Sequence, residues 1–337
     1  MLNRIHKIFI LLLFTSLSAC EDASISTGSL PGNQPNPAVF DWTIQQTETE
    51  ENLTDVFFVD MKIGWVVGDN NTLLSTTSGG LNWPQAPVSL QEGNFRGVHL
   101  INSNEGWISG DLNGKNENGN IYLSTSGGSY PEPQRLMSYP INTVFSIEED
   151  YVWAAGDSGQ LIYSVDAGKN WIKTETFLDI DITDIFFLYN DLGFASGNKG
   201  KIIKSLDGGK TWQNEFEYPE SDLMAIHYVN AENGWACGTG NTILKYYYIE
   251  DSASWISSEI ENELAGMTWN DIYFLNENKG WIVGEGGTVY RSDDGGQTWI
   301  RESTGLFDDL TAIHMVHENK GWIVGENGLI LTYTPKN

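Results

Sequence analysis

The amino-acid sequence predicts an all-β fold, a seven-bladed β-propeller with four antiparallel strands in each blade. Three observations carry this prediction: a pattern that recurs seven times, turn residues at matching places in the copies, and chain ends that complement each other. The composition agrees, because 36 glycines and 13 tryptophans but only 10 prolines among 337 residues are typical of short strands joined by tight turns.

The recurring pattern has an aromatic anchor every 41 to 46 residues. A glycine stands three residues after each anchor, and a β-branched residue stands nine residues before it. The anchors are Trp65, Trp107, Trp153, Phe194, Trp235, Trp281 and Trp322. The β-branched residues, called the column below, are Val56, Val98, Val144, Ile185, Ile226, Ile272 and Ile313. Seven copies of this period indicate a propeller in which each copy is one blade.

The sequence pattern of each copy predicts four strands. In the sixth copy, residues 270–275 are apolar on both faces, as is typical of a strand between two neighbours, and 280–284, 288–292 and 298–301 follow as the second, third and fourth strands. A sheet of this size cannot bury two apolar faces by itself. The copies are therefore expected to pack face to face around an axis.

The two ends of the chain predict how the ring closes. The seventh copy stops before a fourth strand, while residues 40–44, which include Trp42, carry the fourth-strand pattern of 298–300. We therefore expect the N-terminal strand to complete the last blade, which would remove two open sheet edges.

The residues before the propeller resemble a bacterial lipoprotein signal. A basic start and a short apolar run are followed by Leu17-Ser18-Ala19 and then Cys20. We predict a signal peptide over 1–19, a lipidated Cys20 with a flexible tether over 20–39, and the propeller over 40–337. The expected location is the cell envelope as a membrane-anchored lipoprotein, at the outer membrane or cell surface rather than the inner membrane. The alternative is a secretory peptide with an incidental cysteine.

The charge narrows the class of partner. With 18 basic and 45 acidic residues, the chain has a formal charge of −27 and would be repelled by nucleic acid. A protein partner of basic character fits better, and a monomer is expected. The second cysteine, Cys237, has no predicted disulfide partner if Cys20 is lipidated, and its apolar strand context predicts that it is buried.

A hairpin motif of the form Ser-x-Asp-x-Gly-x-Thr-Trp, with Asn replacing Thr in one copy, occurs in three copies, at Asp166, Asp207 and Asp294. It resembles the Asp-box, or sialidase-type (BNR), repeat. The acid is expected to accept backbone N–H groups inside the hairpin while the tryptophan packs between blades. We interpret these three acids as structural and not catalytic.

The inner strands supply the candidate binding residues. Asp55, Asp184 and Asp271 stand one position before the column and are predicted to face the axis as a site for a cation or a basic peptide. The alternative is that each acid bonds nearby loop amides. One position after the column lie Phe57, His99, Phe145, Phe186, His227, Tyr273 and His314. The three histidines belong to separated blades, so packing between blades is predicted, and neither a metal nor a cofactor is expected.

The Gly-Trp-x-x-Gly cores at 64–68, 280–284 and 321–325, taken with the Asp-boxes, resemble the photosystem II stability and assembly factor family over residues 40–337. The resemblance implies a seven-bladed, non-enzymatic propeller at a membrane surface that holds a protein partner during assembly. Family members that act on photosystem II are thought to use an arginine-rich face. The mature chain has only Arg96, Arg135, Arg291 and Arg301, so a role outside photosynthesis is expected.

The function expected from the sequence is therefore a non-enzymatic, membrane-anchored protein-binding or assembly scaffold. The alternative is a carbohydrate-active or carbohydrate-binding propeller of the sialidase or glycanase kind. A sialidase needs three arginines around one carboxylate, and only Arg96 falls on a predicted inner strand. We therefore do not expect an enzyme.

Overall fold

The computed structural model describes residues 40–335, apart from 87–92, 113–116, 129–131, 175–178, 250–251, 259 and 261–265. The described residues form seven antiparallel sheets arranged as the blades of a propeller, so the predicted all-β fold and blade number are confirmed. The predicted signal peptide, the tether and Cys20 lie outside the described residues. Within the described residues, no helix has the length and apolar character needed to cross a membrane.

Successive strands of a blade run from the axis outward. The first blade contains β2 (Leu53–Phe58), β3 (Gly64–Gly68) and β4 (Thr72–Thr76). The second contains β5 (Gly93–Leu100), β6 (Gly106–Leu112), β7 (Glu117–Ser124) and β8 (Glu132–Leu136). The third contains β9 (Ile141–Ile147), β10 (Tyr151–Gly156), β11 (Gln160–Ser164) and β12 (Ile172–Lys173). The fourth contains β13 (Ile182–Phe187), β14 (Gly193–Gly197), β15 (Lys201–Ser205) and β16 (Gln213–Glu217).

The remaining blades follow the same order. The fifth contains β17 (Leu223–Asn230), β18 (Asn233–Gly238), β19 (Thr242–Ile249) and β20 (Ser252–Ser258). The sixth contains β21 (Trp269–Phe274), β22 (Gly280–Gly284), β23 (Thr288–Ser292) and β24 (Ile300–Glu302). The seventh contains β25 (Leu310–His317), β26 (Lys320–Gly325) and β27 (Ile330–Pro335). Short 3₁₀ turns at Asp157–Gly159 and Asn198–Gly200 join second to third strands.

The first blade has a shortened outer edge. Leu74 bridges Gln85, and the Ala86 N–H donates to the Leu73 carbonyl at 2.7 Å, so an extended segment stands where the fourth strand is expected.

The N-terminal strand closes the ring as predicted. Strand β1 (Phe40–Gln45) pairs antiparallel with β27, and Trp42 lies opposite Tyr333 with ring centroids 4.7 Å apart. The Trp42 indole N–H donates to the Glu302 carboxylate at 2.7 Å, and Glu302 belongs to the sixth blade. Trp42 therefore joins the N-terminal segment to two blades.

The core is divided among the interfaces between blades. In the interface between the sixth and seventh blades, for example, Trp281 and Val283 share one cluster with Leu310 and Ile323. An anchor of one blade stacks on an aromatic ring of the next. The stacked pairs are Trp153 with Phe187 at 3.7 Å, Phe194 with Tyr228 at 4.0 Å, Trp235 with Phe274 at 3.6 Å, and Trp322 with Phe58 at 3.3 Å between ring centroids. Cys237 is buried in one of these interfaces, as expected.

Close approach explains the two glycines of the Gly-Trp-x-x-Gly core. A Cβ atom on Gly280 would lie 2.4 Å from the ring of Phe274, and one on Gly284 would lie 2.3 Å from the carbonyl oxygen of Thr268. Any side chain at these positions would push the second strand off the inner strand. Glycine is required there for space.

Candidate functional site

The inner strands of the seven blades surround a cavity of about 430 Å³ on the propeller axis. Asp55, Asp184 and Asp271, called the axial acids below, all line it. The structure thus brings together the three acids that the sequence placed at the axis.

Each axial acid links its own inner strand to the next blade. The carboxylate of Asp55 accepts the backbone N–H groups of Val56, at 2.7 Å, and of Val98 in the second blade, at 2.8 Å. Asp184 makes the corresponding bonds to Ile185 and Ile226 at 2.8 and 3.0 Å, and Asp271 to Ile272 and Ile313 at 2.7 and 2.8 Å. The donors are strand amides, whereas the alternative reading of the sequence expected loop amides.

Burial governs the ionisation of these acids. It raises the pKa of Asp271 to about 7 and that of Asp184 to about 6, and it raises the pKa of Asp55 well above its ordinary value. The accepted N–H bonds oppose these shifts, and the negative charge of neighbouring axial acids adds to them at Asp55 and Asp271. The layer therefore carries fewer than three full charges at neutral pH.

A closed circle of rings, called the aromatic annulus below, forms the next layer of the channel. Its members are Phe57, His99, Phe145, Phe186, His227, Tyr273 and His314. Neighbouring ring centroids are between 4.4 and 5.1 Å apart all the way around. The residues that the sequence placed one position after the column thus pack against one another across all seven interfaces.

The histidines of the annulus are neutral. Burial lowers the pKa of His99 and His314 to about 3 and that of His227 to about 4. The His99 ring bonds Ser146 at 2.9 Å, and the His227 Nε2–H donates to the Phe274 carbonyl at 3.0 Å. Among the described residues, Nδ1 of His314 has no hydrogen-bond partner, and no group of three or more His, Cys, Asp or Glu side chains is placed to hold a metal ion.

Sequence reasoning missed a second link between blades. In every blade, the residue two positions before the column is the extra residue of a β-bulge. In five blades that side chain donates to a carbonyl of the next inner strand at 2.6 to 2.9 Å. The donors are Thr54, Asn142, Thr183, Asn270 and Thr311. A Thr or Asn at the same position in five of seven copies was the available signal.

The arginines are dispersed. Arg96, on β5, bonds the buried Asp111 carboxylate at 3.1 Å and the Asn142 side chain at 2.9 Å. Arg291, on β23, bonds Glu302 at 2.9 Å, and Arg301 lies on β24. Of the described residues that line the axial cavity, none is an arginine, so the described arginines do not converge as a sialidase requires.

The Asp-box acids lie in the hairpins between third and fourth strands. Asp294 accepts the Ser292 hydroxyl at 2.9 Å and both the backbone N–H and hydroxyl of Thr298, at 2.8 and 2.6 Å. Asp166 and Asp207 make matching bonds. Bonds from Asn170 lower the pKa of Asp166. Because the carboxylates serve their own hairpins, we propose that their role is structural.

One end of the propeller has the more negative net charge, because the described loops at the other end hold as many acids, 13, but four lysines. This acidic face consists of the loops that lead into the inner strands and the turns between second and third strands, which lie at the same end because the strands alternate in direction. Its described acids are Glu48, Glu50, Glu51, Asp69, Asp157, Asp179, Asp181, Glu220, Asp222, Glu285, Asp308, Asp309 and Glu326. Lys199 is the one basic residue within the described parts of these loops. The axial acids follow these loops by only a few residues, so their layer is nearer the acidic face than the annulus is.

The chain matches the sequence model of the family described as Photosynthesis system II assembly factor YCF48 over residues 34–113, 115–205 and 248–334. The Photosystem II assembly lipoprotein Ycf48 of Prochlorococcus marinus (strain NATL2A) is 35% identical over 95 residues, which cover 28% of this chain and 25% of the relative. That of Synechococcus sp. (strain CC9902) is 27% identical over 179 residues, which cover 50% and 48%. The chain thus spans a quarter to a half of the length of these relatives.

Solved structures share the propeller fold. "YCF48 bound to D1 peptide" superposes with a TM-score of 0.72 at 21% identity, covering 91% of this chain and 97% of that one. "YCF48 from Cyanidioschyzon merolae" gives 0.70 at 20% identity, covering 88% and 99%. A GH74 enzyme of Niastella koreensis gives 0.67 at 11% identity, covering 86% and 53%.

Proposed function

We propose, from the premise that this chain belongs to the Photosynthesis system II assembly factor YCF48 family, that it is a non-enzymatic scaffold that binds a protein partner during assembly. The relatives named as assembly lipoproteins and the solved relative bound to a peptide support this proposal. The acidic face is the observation that carries it for this particular chain.

The partner presents basic residues to the acidic face. Thirteen carboxylates against one lysine in the described loops make a field that would attract a basic protein surface and repel an acidic one. Two exposed aromatic side chains lie in the same loops: Phe307 is 89% exposed and Tyr139 is 49% exposed. Aromatic residues of this kind commonly supply the apolar centre of a protein interface.

A lipid on Cys20 holds the propeller at a membrane. The lipoprotein names of the relatives support the membrane anchor. We further propose that the anchored protein lies in the cell envelope, at the outer membrane or cell surface rather than the inner membrane. Replacing Cys20 with serine should move the protein from the membrane fraction to the soluble fraction of cells fed a labelled fatty acid, and should abolish labelling. Labelling that persists in this variant would contradict the anchor.

We also propose a role outside photosynthesis. The formal charge of −27 and the engagement of Arg96 and Arg291 with carboxylates leave this chain without an available arginine-rich surface among its described residues. A partner that requires such a surface would not fit.

Glycoside hydrolysis is not favoured. The GH74 enzyme shares the fold at 11% identity, which is no argument for shared chemistry. The oxygens of the axial acids already accept backbone N–H groups. A purified protein that cleaved a glycan and lost that activity on replacement of an axial acid would refute the scaffold.

Cross-linking of the anchored protein in its native membrane, followed by identification of the captured partner, tests the proposal. Two charge reversals on the acidic face, Glu50→Lys and Glu220→Lys, should reduce capture, and so should Phe307→Ala. Glu232→Lys, an exposed reversal in the loop between β17 and β18 at the opposite end, is the matched control and should leave capture unchanged. If none of the three changes on the acidic face reduced the amount of captured partner, the proposed surface would be wrong.

A further inference from the structure

We propose that Lys245 binds a carboxylate group from outside the chain, an aspartate or glutamate side chain of a protein. The site lies between the fifth and sixth blades, where Lys245 on β19 faces the hairpin that joins β23 to β24. This site is separate from the acidic face and takes a ligand of the opposite charge to a basic partner, so it goes beyond the proposed function.

Lys245 is buried without a hydrogen-bond partner. Only 7% of its surface is exposed, and its Nζ atom makes no hydrogen bond and no ion pair with any described residue. Nζ lies 4.7 Å from the ring centroid of Tyr247 and 5.9 Å from that of Trp235. These rings attract an ammonium group but offer no oxygen atom to its three N–H donors. Because a buried charged donor without an acceptor is costly, an acceptor from outside the chain would be stabilising.

The ammonium group of Lys245 is within reach of a ligand. Its Nζ atom is not among the enclosed side-chain atoms of the described residues that lack a partner, so it retains contact with solvent. Ile256 on β20 is paired with Lys245 and therefore shares its face of the sheet, and 48% of the Ile256 surface is exposed. A ligand can approach Nζ across this apolar side chain.

The two neighbouring blades have a cation at the same position and pair it with a carboxylate of their own. The third-strand residues paired with the anchors of the fourth, fifth and sixth blades are Lys204, Lys245 and Arg291. Two positions after the fourth-strand residues opposite these cations stand Glu215, Ser258 and Glu302. Nζ of Lys204 lies 3.6 Å from Glu215, and the Nε–H of Arg291 donates to Glu302 at 2.9 Å.

The fifth blade has the cation without the carboxylate. The Ser258 hydroxyl donates to the Gly296 carbonyl of the next blade at 2.5 Å. The third blade has the same kind of bond, from Thr174 to Gly209 at 2.6 Å, but there the residue paired with the anchor is Tyr163. The fifth blade thus combines the fourth strand of a neutral blade with the third strand of a charged one. Because the neighbouring blades fill this place with a carboxylate, a carboxylate is the ligand that fits it.

The acids of the facing hairpin are already engaged. Asp293 is paired with Arg291, and Asp294 is bonded within the hairpin. A Cβ atom on Gly295 would lie 2.9 Å from Nζ of Lys245, so the ammonium group lies against the backbone of this hairpin and not against its carboxylates. Among the described residues, no carboxylate competes with the proposed ligand for Lys245.

The probe for this proposal is propionate, which copies the end of a glutamate side chain. It is titrated into the full chain at constant ionic strength while the ring signals of Tyr247 are followed by NMR. We expect a saturable shift that disappears in Lys245→Met and is unchanged in Lys199→Met, which removes an exposed lysine on the acidic face. The proposal would be overturned by an equal shift with neutral propionamide, by a shift that survives in Lys245→Met, or by tighter binding of inorganic phosphate.

A second pair of variants guards against a simple folding defect. Ser258→Glu supplies the carboxylate that the neighbouring blades have, and Ser258→Gln is its uncharged match, since both variants lose the bond to Gly296. The dissociation constant for propionate should be about tenfold weaker in the glutamate variant than in the glutamine variant, and the urea midpoint should be higher. Equal dissociation constants in the two variants would overturn the proposal.

Comparison with cross-linking separates this site from the scaffold function. If the wild-type protein captures a partner but propionate produces no saturable shift, the carboxylate site is wrong and the scaffold function stands. If propionate binds and no partner is captured, the scaffold function is wrong and the carboxylate site stands.

Discussion

Replacing Trp42 with alanine should weaken the closure of the ring more than any change on the solvent side of the same strand. The side chain is 7% exposed, its ring lies 4.7 Å from that of Tyr333, and its indole N–H donates to Glu302 at 2.7 Å. Truncation of a buried tryptophan costs about 3 to 5 kcal/mol. We therefore expect the free energy of unfolding to fall by about 4 kcal/mol.

Two further variants separate the contributions of the Trp42 hydrogen bond and of its burial to this loss of stability. Trp42→Phe keeps most of the apolar contact and removes the bond to the charged Glu302, so it should cost about 1.5 to 3 kcal/mol. Ile44→Ala, on the same strand but 49% exposed, should cost less than about 0.5 kcal/mol.

Urea unfolding measured by tryptophan fluorescence is the assay. With a denaturant slope of about 3 kcal/mol per molar, a loss of 4 kcal/mol lowers the midpoint by about 1.3 M. Hydrogen exchange of β27, which pairs with this strand, should be faster in Trp42→Ala than in the wild-type protein. The reasoning fails if Trp42→Ala and Ile44→Ala shift the midpoint equally and exchange in β27 does not change.

Three other predictions follow from the described contacts. The contribution of Asp271 to the free energy of unfolding should fall as the pH rises from about 4 to about 7, because folded Asp271 (pKa about 7) keeps a proton that its unfolded form has lost. Buried neutral histidines such as His227 (pKa about 4) act in the opposite direction between about pH 4 and 6.5, since only the unfolded state protonates them. The difference in urea midpoint between the wild-type protein and Asp271→Asn should therefore change with pH up to about 7 and level off above it, and a difference that does not change with pH would refute this. Asp294→Ala should cost about 1 kcal/mol in thermal unfolding and leave partner capture intact, whereas lost capture at unchanged stability would contradict a structural Asp-box. Thr311→Val, which removes a 2.6 Å bond from the seventh blade to the first, should cost about 1 kcal/mol, and a neutral result would show that this bond is dispensable.

In the sixth blade, the strand ends were predictable to within two residues, and the difference at the fourth strand has a local cause. The fourth strand of the sixth blade was expected at 298–301 but begins at Ile300, because the Asp294 carboxylate holds Thr298 in the hairpin. The inner strand was expected at 270–275 and runs from Trp269 to Phe274. Regular periodicity identifies a strand, whereas its ends depend on which side chains compete for the backbone.

The candidate site was predictable in position but not in bonding. The alignment of the copies placed Asp55, Asp184 and Asp271 at one level of the axis, and the structure has them in one cavity. The alternative interpretation expected donors in nearby loops, yet each acid accepts a strand amide of the next blade. The register between two blades depends on how their faces pack, and no periodicity within one copy records it.

The sequence alone determined the number of blades and the strand that closes the ring. A sheet with two apolar faces must be covered on both sides. Seven copies with complementary ends satisfy this requirement when they pack face to face in a closed ring. Only the tertiary structure decided which carbonyls the bulge residues bond, which amides the axial acids accept, and that Nδ1 of His314 has no hydrogen-bond partner among the described residues. These features arise between residues about forty positions apart, where the distance across an interface, and not the residue type, selects the partner.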